Sequence, residues 1–145
     1  MLVREVMSSP VVTVPIDATL EGAVERMLEH GVGSVVVTEG EESVGILTAT
    51  DVLVAGHETG QPLADVTVGD AASRPLLTIG PDATVRAAAE RMRGEGVKRL
   101  PVAEGFDLLG IVSQQDVVFA HPELIREAVH NEERREQWES GEGPV

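Results

Sequence analysis

Residues 10–53 and 75–118 carry the same sequence twice. At a constant offset of 65 positions and without a gap, 18 of the 44 pairs are identical, among them Pro10 and Pro75, Thr13 and Thr78, Met27 and Met92, Gly31 and Gly96. Both copies carry one pattern where Gly45–Asp51 reads GILTATD and Gly110–Asp116 reads GIVSQQD: glycine, two aliphatics, a hydroxyl residue, two variable positions and aspartate. One supersecondary unit is therefore built twice, and the fold must be one in which two equal halves bury a face that neither can bury alone.

Size and charge narrow the choice further. In a chain of 145 residues, each copy of about 60 residues would be marginal by itself, so a single two-lobed domain is expected. The absence of cysteine excludes disulfides, thiolate metal sites and a cysteine nucleophile, and fits a reducing compartment. The opening MLVREVM has an early acidic residue and no long apolar run. Neither a signal peptide nor a membrane anchor is expected, and the location is read as cytoplasmic. Acidic residues number 25 against 11 basic ones, a net charge of −14, with Lys98 the sole lysine. That balance opposes nucleic-acid binding, which draws its affinity from Lys and Arg on phosphates. An acidic, lysine-poor surface of this kind resembles proteins that work in molar salt, although an ordinary solvated surface can have the same composition.

Each half reads strand, helix, strand, strand, helix, which makes the chain α+β. Val3–Met7 and Val68–Ala72 open the halves as short turns, and the runs at 10–15 and 75–80, bounded by breakers, read as short extended segments. Thr19 and Thr84 are placed as N-caps. The helix after Thr19 presents Leu20, Ala23, Val24, Met27 and Leu28 on one face, and the helix after Thr84 presents Val85, Ala88, Ala89 and Met92. Gly31 and Gly96 stand at their C-terminal ends. Hairpins follow, and Pro101, lacking an N–H, belongs at a strand end or an edge. Thr48 and Ser113 begin the second helices. The expected division is 1–55 for the first unit, 56–67 for an exposed linker, 68–120 for the second unit and 121–145 for a C-terminal helix and tail. That last helix starts near Pro122, carries Leu124, Ile125, Ala128 and Val129 as its stripe, and places Trp138 on a polar stretch.

The repeated unit, with its Pro-x-x-Thr opening, its helix followed by Gly-Val and an aliphatic strand, and its glycine–aliphatic–hydroxyl–aspartate segment, resembles a CBS motif. Two in tandem resemble a CBS pair, or Bateman module, here standing alone. The resemblance implies two motifs packed sheet to sheet about a pseudo-twofold axis, with two clefts that bind adenosine compounds. It implies that Asp51 and Asp116 accept hydrogen bonds from ribose hydroxyls, that Thr48 and Ser113 donate toward phosphate, and that Lys98 and Arg99 contact phosphates. Thr13, Thr78, Ile46 and Ile111 would line the adenine pocket. AMP, ADP, ATP or S-adenosylmethionine are the implied ligands, a homodimer the implied assembly, and an unknown effector protein the implied receiver of the signal.

The residues themselves leave a second role open. A hydroxyl residue three positions before an acid at a helix start is close to a capping box, so Thr48–Asp51 and Ser113–Asp116 can be purely structural. Where the second half has Lys98 and Arg99 the first has Gly33 and Ser34. The cleft built on Asp116 is therefore expected to favour phosphorylated ligands, and the one on Asp51 to hold a less charged adenosine compound or nothing. No nucleophile–base pair or metal cluster is legible, the four histidines being scattered, so no catalytic residue and no metal ligand is assigned. The contrasting reading is a ligand-free assembly module acting through dimerisation and the C-terminal helix.

Overall fold

The computed structural model describes residues 1–120, so the expected C-terminal helix and Trp138 lie outside the described residues. In chain order the elements are α1 (Val3–Val6), β1 (Thr13–Pro15), α2 (Leu20–His30), β2 (Ser34–Glu39), β3 (Glu42–Thr48) and α3 (Ala49–Thr59). After a single 3₁₀ turn at Leu63–Asp65 come α4 (Val68–Ala71), α5 (Val85–Glu95), β4 (Arg99–Glu104), β5 (Asp107–Ser113) and α6 (Gln114–Ala120).

The caps form as their residue types demand. Thr19 Oγ1 accepts the Gly22 N–H at 3.1 Å and Thr84 Oγ1 that of Ala87 at 3.0 Å. Gly31 and Gly96 end α2 and α5 at φ 63° and 68°, a left-handed conformation that glycine adopts without steric cost. Two expectations are corrected. Leu28 is 77% exposed, because Leu20, Ala23 and Met27 already fill the buried stripe of α2. Helix α3 runs on to Thr59, into the expected linker, and stops only where Gly60 turns left-handed.

The halves also differ where the sequence suggested they match. Strand β1 pairs parallel to β2, which pairs antiparallel to β3. The counterpart of β1 in the second half shrinks to one parallel bridge, Ile79 to Val102, beside the antiparallel β4–β5 pair. Val36 donates its N–H to the Val12 carbonyl at 2.9 Å. Pro101 occupies the equivalent place and has no N–H to give, which leaves β4 at the edge of its two-stranded sheet.

Two apolar cores result, and each draws on both halves of the chain. Val14, Leu20, Val35 and Leu47 pack with Val66 and Val68, whereas Val85, Leu100, Val102 and Val112 pack with Val3. The opening segment of each half thus completes the core of the other. The bridges are reciprocal: Leu2 with Thr84 answers Thr67 with Thr19, and Ser8 with Ile111 answers Ser73 with Ile46. Exchanging the halves turns each pair into the other, the relation a pseudo-twofold axis requires.

That crossing explains the repeated glycine. A Cβ on Gly45 would lie 2.6 Å from the Ser73 carbonyl oxygen, and one on Gly110 would lie 2.7 Å from that of Ser8. Only a residue without a side chain lets the incoming segment hydrogen-bond to Ile46 or Ile111 next door.

Candidate functional site

Two clefts open between the halves. The larger, about 430 Å³, has Ile111, Ser113 and Asp116 on one side and Pro10, Val12 and Gly33 from the first half. The smaller, about 290 Å³, repeats the arrangement with Ile46, Thr48 and Asp51 against Pro75, Leu77 and Gly96. The 65-residue offset maps almost every lining position of one onto the other.

At the centre of each cleft a helix begins. The Thr48 N–H donates to Asp51 Oδ2 at 2.9 Å while the Asp51 N–H donates to Thr48 Oγ1 at 3.1 Å. Ser113 and Asp116 make the same reciprocal pair at 2.8 and 3.1 Å. The capping role left open by the sequence is therefore realised in both copies, yet it uses only half of each carboxylate. Among the described residues neither Oδ1 atom has a protein hydrogen-bond partner, and both aspartates line a cleft at intermediate exposure. Each hydroxyl accepts an N–H and keeps its own proton to donate. Some helix-start amides are already engaged: Ala49 donates to the Gly33 carbonyl at 3.0 Å and Gln114 to that of Lys98 at 2.8 Å. An anion at either site must therefore be held largely by side chains.

The structure brings together eight of the ten residues expected at the site. Ile46, Thr48 and Asp51 line one cleft, Ile111, Ser113 and Asp116 the other, and Lys98 and Arg99 line both. Thr13 and Thr78 line neither; the preceding Val12 and Leu77 do. Successive side chains of an extended segment face opposite ways, so a cleft lined by Val12 leaves Thr13 on the other face. The position two before each of these, Pro10 or Pro75, also lines its cleft, a period-two signal that was present in the repeat.

The expected charge asymmetry is corrected as well. Lys98 and Arg99 do not belong to the Asp116 cleft alone but form a wall common to both. Arg99 begins β4, opposite Ser113 on β5, and its guanidinium crosses to the first half, where Nη1 donates to the Gly33 carbonyl at 3.3 Å. A Cβ on Gly33 would sit 2.9 Å from Nη2, so the missing side chain there makes room for the arginine. Ser34, the counterpart of Arg99, is buried and too short to reciprocate. His30 and His57 are exposed and line neither cleft. Among the described residues no group of three or more histidine and acidic side chains is placed to hold a metal ion. No helix among them is long and apolar enough to cross a membrane.

Comparison with known proteins agrees with the geometry. The CBS domain profile matches residues 3–58 and again residues 68–123. An uncharacterized protein of Methanopyrus kandleri is 37% identical over 72% of this chain, which spans only 56% of that relative's length. A CBS-domain-containing protein of Agrobacterium tumefaciens superposes with a TM-score of 0.75 at 29% identity, covering 82% of this chain and 92% of that one. A CBS domain pair solved with 5′-methylthioadenosine and S-adenosyl-L-methionine superposes at 0.71, with 22% identity over 81% of this chain and 92% of that one, which shows a common fold.

Proposed function

The chain belongs to the CBS-domain family, and on that premise we propose that it is a non-catalytic regulatory module whose two clefts bind adenosine-type ligands. AMP, ADP, ATP and S-adenosylmethionine are the ligand class, and the bound state is passed to an effector protein. The observation that carries the reading is the half-used carboxylate of Asp51 and Asp116. Each offers a free oxygen to a ribose diol, beside a hydroxyl that can donate to phosphate, an isoleucine that can cover a base and the cations Lys98 and Arg99. The adenosine compounds held by a protein of the same fold support the ligand class.

A sensor needs a second state that the ligand binds differently. Leu28, Leu53 and Phe119, on α2, α3 and α6, are 77, 73 and 71% exposed and would suit a homodimer whose geometry shifts on binding. The same residues favour the contrasting reading, an assembly module that needs no ligand. A cytoplasmic setting, with adenosine compounds at hand, completes the proposal.

A thermal-unfolding panel of these compounds in molar potassium chloride separates the two readings. A ligand at 100 times its dissociation constant stabilises the folded chain by about 2.7 kcal/mol. We expect such a shift for at least one compound and its loss in Asp116→Ala together with Asp51→Ala. No shift for any of them, with self-association intact in sedimentation, would favour the assembly module.

A further inference from the structure

We infer that the two clefts compete for one anion-binding group, Arg99, so that a phosphorylated ligand in either cleft weakens the binding of a second one in the other. The inference rests on the adenosine-ligand reading above and concerns its regulation. Each cleft has its own aspartate and its own hydroxyl, but the two share Lys98 and Arg99. Among the described residues no other basic side chain lines either of them. A true repeat would have supplied a cation to each side. Here the first copy has Gly33 and Ser34, and the glycine gives up its space to the guanidinium that reaches over from the second copy.

Among the described residues the Arg99 guanidinium is tied only to the Gly33 carbonyl, a neutral acceptor, so a phosphate that enters one cleft offers it a stronger, charge-assisted partner. A guanidinium turned toward one cleft is withdrawn from the other, where an Asp carboxylate and an incoming phosphate are left with less compensation. Repulsion from the first ligand's phosphate adds to the second ligand's cost, and screening by salt reduces that part. Uncharged adenosine makes no demand on the arginine and should fill both clefts independently. Because coupling free energies are reciprocal, it does not matter which cleft fills first.

Calorimetric titrations of the full chain with AMP and with adenosine test this. Asp116→Ala and Asp51→Ala give the affinity of each single cleft. For AMP the product of the two stepwise constants of the unmodified chain should fall about 10-fold below the product of the single-cleft constants, within the 5- to 150-fold range usual for coupled sites. For adenosine the two products should agree. In Arg99→Ser both clefts should bind AMP more weakly and the deficit should vanish. Agreement of the products for AMP, or an equal deficit for adenosine, would overturn the inference while leaving the ligand class intact. Failure of both compounds to bind would remove the ligand reading and this one with it. The comparison of AMP with adenosine on the unmodified chain stands even where Arg99→Ser does not fold.

Discussion

Asp51 and Asp116 each use one carboxylate oxygen on the backbone; among the described residues the other has no protein hydrogen-bond partner, and both aspartates line a cleft. Two consequences can be measured separately. Asp116→Ala should lower stability by about 1 kcal/mol, the net worth of a hydrogen bond, seen as a reduced denaturation midpoint. It should also weaken binding of an adenosine compound in that cleft by about 1.5–3 kcal/mol, the range for a bond to a charged group, or roughly 10- to 150-fold in a titration. Unchanged affinity in a folded variant would reduce Asp116 to a helix cap. The glycine of the same segment gives a prediction of the opposite kind. Gly110→Ala places a methyl group against the Ser8 carbonyl and Gly45→Ala one against that of Ser73. Each should destabilise by about 1–3 kcal/mol, as overpacking does, whether or not ligand is present. Repetition flagged both residues in the sequence, but not their roles. The aspartate's cap is a local pattern, but its place in a cleft between the halves, and the glycine's contact with a residue 102 or 28 positions away, depend on packing that no local pattern encodes. Arg99 was legible as a cation near a strand start, whereas its reach into the other half depends on the emptiness at Gly33.

Among the elements, those with local signals were read well and those with non-local ones were not. Capped helices α2 and α5 begin and end at the residues that cap them, because Thr19, Thr84, Gly31 and Gly96 act within one turn of the chain. The extended segment at 75–80 looks in sequence like its copy at 10–15, yet pairs at one bridge only. The cause is Pro101 on the neighbouring strand, more than twenty residues away. Pro101→Val should restore an amide that bonds to the Leu77 carbonyl and exchanges with solvent as slowly as that of Val36. The net gain in stability should stay within about 1 kcal/mol, since the new hydrogen bond is offset by the freedom proline denied the unfolded chain. Fast exchange at position 101 would show that something other than the missing donor shortens the pairing.

Across the molecule, the duplication announced two equal halves, and the structure adds that they are interlocked. Val3 is fully buried in the core of the second half, and Val66 and Val68 lie in that of the first. Removing residues 1–7 should therefore destabilise the distant half, with Val3 alone contributing about 1.5–3 kcal/mol of buried apolar surface. Loss of protection confined to the first half in hydrogen exchange would contradict the interlocked arrangement. Interlocking also builds the clefts, since Ser8 and Pro10 close one and Ser73 and Pro75 the other. Whether those clefts hold an adenosine compound against the aspartates is best decided by following backbone amide resonances while AMP and adenosine are added. The largest shifts should fall at 46–51 and 111–116, with Gly33 and Arg99 moving for AMP and much less for adenosine. Saturation by either compound with both aspartate segments unmoved, or no saturable shift from either, would contradict the assignment of the clefts as its binding sites.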